Sequence, residues 1–426
     1  SPGMEGHKTV TMQSHLDMVP QKNSSVKHDF LTDPIDAYID GDWVKARETT
    51  LGADNGMGAA FAMAVLADKT LTHGPLEALF TINEEVGMDG AVGLKPGFLK
   101  GEILLNCDSE EEGELFVGCA GGADLNVSMQ FKEDTYIPEG DVAVKISLTG
   151  LKGGHSGGDI HLGRGNANKI LNRFLSRMAN RQDLYLCEIN GGNLRNAIPR
   201  EAYAICAVPE DAKHDVRTEL NIFTSEVENE LAVTEPDLKL VLESETPRKM
   251  AIDQDTTTRL LKALYAAPHG VYAMSQDIPG LVETSTNLAS VKMKPNHIIR
   301  IETSQRSSIL SARNDMANTV RAVFQLAGAD VTFGEGYPGW KPNPHSAILE
   351  VAVESYKRLF GVDAKVKAIH AGLECGLFLD KYPTLDMISF GPTISSPHSP
   401  DEKVNIESVS KFWEFLKATL AAIPTK

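Results

Sequence analysis

Three strand-like runs in this chain each stop on a histidine or an acid. Lys8 to Met12 alternates Val10 and Met12 with polar residues and breaks at Ser14-His15; Leu76 to Ile82 ends in Asn83-Glu84-Glu85; Glu102 to Asn106 leads to Asp108. In open α/β sheets ligands gather beyond the carboxyl ends of the strands, so this punctuation predicts one sheet with one polar site at its carboxyl edge. Two further segments join the set. Gly52-Ala53-Asp54-Asn55-Gly56 opens an Ala-rich apolar stretch, Met57 to Asp68, that predicts a buried helix, and Pro397-His398-Ser399-Pro400 lies far down the chain.

With 426 residues the chain exceeds one typical core, so two domains are expected. After Gly118-Cys119-Ala120-Gly121-Gly122 the pattern changes. Alternating runs at Val142 to Leu148 and Ala202 to Ala207, with helix-like stretches from Asn166 to Asn180 and Val216 to Leu231, predict an α+β insertion. Glu243 to Asp255 reads as a surface connection, Gly334 to Gly339 as the linker back, and Ser346 to Phe360 as an amphipathic helix. The simplest partition is an α/β catalytic domain in two parts, 1–122 and 337–426, with a central mixed sheet flanked by helices, and an inserted α+β middle domain, 123–336.

Composition narrows the function classes. Asp and Glu total 58 against 41 Lys and Arg, a formal charge of −17 that argues against a nucleic-acid or anionic-membrane surface. No apolar run approaches the roughly 18–20 residues that span a bilayer. The five cysteines form no C-x-x-C pair and leave an odd count, which argues against a disulfide framework and for a reducing cytoplasmic setting.

Each polar segment has a plain reading beside a chemical one. His15 and Asp17, two apart on a strand, share a side, so Asp17 could orient a ligating His15; a strand-end histidine is also an ordinary hydrogen-bonded residue. Asp54 could ligate or cap a helix. Side chains at Glu84 and Glu85 diverge, which allows one to ligate and the other to act as a base. Asp108 opens an acidic run that a solvated turn would also explain, and the prolines around His398 fix either a ligand loop or a surface turn. Together the segments hold the ligands and base of a two-metal hydrolase, with N and O donors that suit Zn2+ and admit Mn2+ or Co2+.

The order His, Asp, Glu-Glu, Asp and a distant His resembles the co-catalytic zinc peptidases of the aminoacylase, carboxypeptidase and carnosinase superfamily. The fuller strings Ser14 to Lys22, Leu51 to Gly56, Cys119 to Gly122, Leu151 to Gly158, Arg195 to Ala202 and His370 to Gly376 are similar to its aminoacyl-histidine dipeptidase, or carnosinase-like, branch. The resemblance implies two divalent ions bridged by Asp54, one completed by His15 and Asp108 and the other by Glu85 and His398. It implies that Asp17 steadies His15, that Glu84 is the general base toward a water shared by the ions, and that the peptide after Asp54 is cis. His155, in the glycine-rich segment Gly153 to Gly158, becomes a lid residue that polarises the scissile carbonyl, and the lid pairs two subunits as a homodimer. Asn196 and Arg306 match substrate-holding residues of the lid, Arg306 being suited to a free carboxylate; it is otherwise an ordinary surface arginine. Glu374 could meet the substrate's amine or serve a turn. Members of the family carry a longer segment before the first histidine motif than the dozen or so residues found here.

The implied activity is hydrolysis of unblocked dipeptides, Xaa-His among them. Two rivals remain open: a metal-dependent deacylase of N-acyl amino acids on the same fold, and a catalytically inactive binding relative.

Overall fold

The strand Val10–His15 is buried along its whole length, as a central strand covered on both faces must be. It belongs to a six-stranded sheet in the order Lys365–Ile369, Glu114–Cys119, Asp386–Ser389, Ile103–Asn106, Val10–His15, Leu76–Thr81. The last four run parallel, and the sheet turns mixed where Ser389 pairs antiparallel with Phe116. The computed structural model describes residues 1–23, 25–133, 135–181 and 184–426. These divide into two units, Ser1–Cys119 with Pro338–Lys426, and Ala120–Tyr337.

In the first unit the helix Ala53–Ala67 packs on Val10–His15, and Ile406–Ala421 packs on Ala347–Phe360. Phe61 meets Phe412 edge-on at 4.7 Å, and Phe390 meets Phe412 and Phe415 at 4.9 and 5.3 Å, so aromatic edges join the helices to the sheet. Ser346 caps its helix by accepting the N–H of Leu349. A second sheet, in the order Ala37–Asp40, Trp43–Ala46, Lys403–Asn405, Ile394–Ser395, makes the His398 segment the loop of a hairpin.

The second unit is built on an antiparallel sheet running Lys239–Ser244, Val142–Thr149, Ala202–Val208, Tyr185–Gly191, Val282–Lys294, Ile298–Ser307, Gly121–Gln130, Asp330–Tyr337, with Gly270–Met274 beside Val282–Lys294. Helices Ala167–Ala179, Lys213–Glu230, Gln254–Ala266 and Leu310–Leu326 share its core, centred on Phe174, Phe223 and Phe324. The fold is thus α/β with a mixed sheet in the first unit and α+β in the second.

Two local expectations are corrected. The span from Glu243 to Asp255 is not all connection: its first two residues end a strand, Met250–Ala251 pairs with Thr135–Tyr136, and a helix begins at Gln254. Buried Ala251 and Ile252 anchor this stretch among polar neighbours that masked it. The linker expected at Gly334 to Gly339 is instead strand as far as Tyr337, with a bulge between Phe333 and Gly336. Glycine serves that strand because a Cβ on Gly336 would stand 2.9 Å from the Gly122 carbonyl oxygen.

Candidate metal centre

Four parallel strands release their chains at one sheet edge. His15 is the last residue of Val10–His15, Glu84 and Glu85 open the short helix after Leu76–Thr81, Asp108 follows Ile103–Asn106, and the loop with His398 follows Asp386–Ser389. Asp54 arrives at the start of helix Ala53–Ala67, where it and Asn55 keep non-helical backbone angles and the peptide between them is cis.

His15, Asp108, Glu85 and His398 gather around Asp54. Its Oδ1 lies 3.1 Å from His15 Nε2, and its Oδ2 lies 3.2 Å from His398 Nε2. His15 Nε2 is also 3.4 Å from Asp108 Oδ1, and His398 Nε2 is 3.0 Å from Glu85 Oε2. A tetrahedral ion with ligands at ~2.0–2.2 Å separates its ligand atoms by roughly 3.3–3.6 Å, so these spacings are close to the edges of two tetrahedra sharing Asp54. The triads His15–Asp54–Asp108 and Asp54–Glu85–His398 are both compact enough to hold a metal ion.

Electrostatics point the same way. Burial alone would lower the pKa of His15, yet hydrogen bonds and charge from Asp108 and Asp54 carry it up to about 12. Bonds to Asp54 and Glu85 raise His398 to about 10. Asp54, though buried, is held well below the usual carboxylate range by the two imidazoles. The acid cluster therefore draws positive charge onto its histidines, and the same field would hold divalent cations. Glu85 Oε1 is buried with no hydrogen-bond partner among the described residues, as fits an oxygen reserved for an ion.

The supporting contacts fix each ligand. His15 Nδ1 lies 2.9 Å from the Asp17 carbonyl oxygen, which takes its proton and leaves the Nε2 lone pair facing the cluster. Here the structure departs from the expected geometry: the Asp17 carboxylate is 3.6 Å from Nδ1 and instead accepts the main-chain N–H groups of Glu84 and Glu85 at 3.1 and 3.2 Å. Asp17 thereby positions both glutamates at the start of their helix. Asn55 donates to Asp108 Oδ1. Glu84 is raised to about 8 by burial and by the charge of Asp108, a range suited to taking and returning a proton near neutrality.

His15, Asp54, Glu84, Glu85, Asp108 and His398 line a cleft of about 340 Å3 whose wall includes Glu110, Phe116 and Leu373. Glu374, expected toward the substrate's amine, is absent from that lining and has no exposed surface. Its Oε2 accepts from Gln13 Nε2 at 2.6 Å and from Thr81 Oγ1 at 2.7 Å, and Asn106 Nδ2 donates to Gln13 Oε1 at 2.5 Å. The Glu374 carboxylate is thus sequestered beneath the sheet edge, which corrects the substrate contact.

Two functional positions escaped the sequence reading. Glu402 has no motif around it to single it out, but it is buried and grips the Asp54 loop. Gln13 had a signal, since Thr11, Gln13 and His15 alternate as polar residues along one face of a buried strand.

In the second unit, Arg306 is only 7 % exposed; its Nη1 donates to Tyr337 OH at 2.9 Å and its Nε lies 3.4 Å from Ser156 Oγ. No carboxylate pairs with it at ion-pair distance among the described residues. Asn196 has an exposed side chain, and its carbonyl oxygen accepts the Ser156 N–H at 2.8 Å. His155 is partly buried, with burial and Arg306 pushing its pKa down to about 4 against the opposing charge of Asp159. No helix among the described residues is long and apolar enough to cross a membrane, and all five cysteines are free.

The sequence matches the model of Peptidase family M20/M25/M40 over residues 11–422. It is 49% identical over 424 residues to the cytosol non-specific dipeptidase of Escherichia coli (strain K12), covering 100% of this chain and 87% of that protein. The structure is similar to that of aminoacylhistidine dipeptidase from Vibrio alginolyticus, with a TM-score of 0.92, 48% identity and coverage of 100% and 86% of the two chains. It shares its fold with aminopeptidase PepT from Bacillus cereus at a TM-score of 0.57 and 17% identity, covering 99% and 82%.

Proposed function

Since the chain belongs to peptidase family M20/M25/M40, we propose that it is a dipeptidase that hydrolyses unblocked dipeptides, Xaa-His among them, with two divalent ions, Zn2+ in the first instance. The observation that carries this reading is the placement of Asp54, whose two carboxylate oxygens face two different histidines. On this reading His15 and Asp108 complete one ion's ligands and Glu85 and His398 the other's. When bound, the ions supply Lewis-acid polarisation of the carbonyl and a more acidic water.

The chain's own groups do the rest. Glu84 takes a proton from the attacking water as its oxygen bonds to the carbonyl carbon, and returns it to the amine nitrogen as the C–N bond breaks. Asp17 holds Glu84 and Glu85 by their main-chain N–H groups. In the lid unit, Arg306 has no carboxylate at ion-pair distance among the described residues, which supports its binding the free carboxylate of the substrate, and Asn196 offers an exposed amide. His155 donates a hydrogen bond to the oxygen on which charge develops.

The relatives' names support dipeptide hydrolysis over N-acyl amino acid deacylation, and the intact ligand set with Glu84 and Asp17 disfavours an inactive binding relative. The relative's description as cytosolic supports a cytoplasmic setting, and the resemblance to lid domains that pair about a two-fold axis supports a homodimer through the inserted domain, 123–336. The test is a panel of dipeptides and their N-acetylated forms, assayed with metal-stripped and zinc-reloaded protein. Zinc-dependent cleavage of free but not acetylated dipeptides is expected; preference for the acetylated forms would move the reading to deacylation, and no cleavage of either would end it.

A further inference from the structure

The loop that carries His155 decides which ring nitrogen holds the proton. Nδ1 lies 2.9 Å from the main-chain nitrogen of Gly158 and 3.3 Å from that of Gly157. Both neighbours are N–H donors and cannot accept, so Nδ1 has to offer its lone pair to them. The single proton of the neutral ring is then on Nε2. An imidazolium would bring an Nδ1–H against two N–H groups and forfeit both bonds.

The loop around the ring is clamped. The His155 N–H donates to Asp159 Oδ2 at 2.9 Å, and the Asp159 N–H donates back to the His155 carbonyl oxygen at 3.1 Å. Arg164 Nη1 donates to the same Asp159 Oδ2 at 3.2 Å and to the Gly153 carbonyl oxygen at 2.6 Å. Gly154, at φ +138°, lets this clamp close: a Cβ there would stand 2.1 Å from Arg164 Nη1 and 2.6 Å from Asp159 Oδ2. The charged groups that face the ring's surroundings are therefore Asp159 and Arg164 from its own loop and Arg306 from the strand Ile298–Ser307. Two of these three are cations, and the one anion is shared between Arg164 and the His155 main chain.

We infer that His155 acts as a neutral hydrogen-bond donor through Nε2–H, in a tautomer imposed by the Gly157 and Gly158 N–H groups, and that Asp159 and Arg164 are positioning residues for it. The inference deepens the proposed function and rests on its assignment of His155 to the developing oxyanion. Its chemical consequence is that His155 transfers no proton. As the water oxygen bonds to the carbonyl carbon, the π pair of the carbonyl moves to its oxygen, and Nε2–H stays intact while its hydrogen bond to that oxygen shortens and strengthens. The proton that reaches the leaving nitrogen is the one Glu84 took from water. A neutral donor fixed in this way is already in its working form across the neutral range, whereas an acid of ordinary histidine pKa would lose its proton there.

Nitrogen NMR of the full-length, zinc-loaded protein labelled with 15N-histidine reads the tautomer directly, with the His155 signals assigned by their absence in His155→Gln. The expected spectrum at pH 7 has Nδ1 in the unprotonated range and Nε2 in the protonated range, unchanged between pH 8 and pH 5.5. A proton on Nδ1 at pH 7, alone or with one on Nε2, would overturn the inference whatever the activity does. Asp159→Asn and Arg164→Lys should mix the two tautomers and lower kcat by about 10-fold with zinc content unchanged; a spectrum and kcat identical to wild type in both would remove the positioning roles. His155→Gln, whose amide places an N–H near Nε2, should retain several-fold more kcat than His155→Ala. If His155→Ala kept wild-type kcat while the NMR signature held, the oxyanion assignment would fail and the tautomer would stand.

Discussion

Glu402 holds the loop that carries Asp54 by three main-chain hydrogen bonds: its Oε2 accepts from Leu51 at 2.7 Å and Gly52 at 2.9 Å, and its Oε1 accepts from Asp54 at 3.1 Å. Because Glu402 lies on the hairpin loop of His398, one buried carboxylate sets two ligand loops against each other. Glu402→Ala removes all three acceptors and should weaken zinc binding by roughly 10–100-fold. Competition against a zinc-binding dye measures this, and unchanged affinity in a folded variant would show that the Asp54 loop holds its shape without Glu402.

Glu84→Gln keeps the side-chain shape but cannot accept a proton. Turnover should fall by about 100- to 10,000-fold with metal content unchanged. Kinetics on a dipeptide together with elemental analysis decide the matter; near-normal kcat would assign the base elsewhere.

Asp17→Ala should act on both glutamates at once, since the Glu84 and Glu85 N–H groups lose their acceptor. Both kcat and zinc affinity are expected to drop by about 10-fold or more. A change in neither would contradict the positioning role, and a loss of zinc alone would limit it to Glu85.

Acid sensitivity is predicted to reside partly in the second unit. His269 Nδ1 accepts from Asn166 Nδ2 at 3.2 Å and lies 3.4 Å from the Leu288 N–H, and burial, with the nearby Lys169 charge, lowers its pKa from 6.5 to about 4. In the unfolded chain this histidine gains its proton near pH 6.5, and in the fold only near pH 4. Its contribution to stability is therefore present above pH 6.5 and is lost as the pH falls through 4, about 2 kcal/mol of it by pH 5 and on the order of 3 kcal/mol in all. Urea midpoints at pH 7.5 and 5 should separate more for the wild type than for His269→Gln; equal separations would rule this out.

Much of the fold and the ligand set is legible because the relevant signals are local. A strand that ends in His15, Glu84-Glu85 or Asp108 carries its chemistry where the apolar run stops, and the parallel order of those strands then brings the ends together. Glu402 and Glu374 were not legible in that way. Both are acids whose role depends on burial, and burial is set by which distant segments pack over them: Leu51, Gly52 and Asp54 for Glu402, Gln13 and Thr81 for Glu374. The same holds for Asp17, since spacing puts it on the side of His15 but gives no sign that the Glu84 and Glu85 N–H groups lie closer. The strand through Gly334 and Gly336 was hidden for a different reason: glycine signals a loop in isolation, and only the approach of the Gly122 carbonyl explains it in a sheet.

Zinc stoichiometry decides whether Asp54 bridges two ions. Elemental analysis of zinc-reloaded wild type and Asp54→Ala, after removal of loosely bound metal, should give two ions per chain for the first and at most one for the second. One ion per chain in the wild type, or two retained in Asp54→Ala, would show that Asp54 does not bridge a pair of ions.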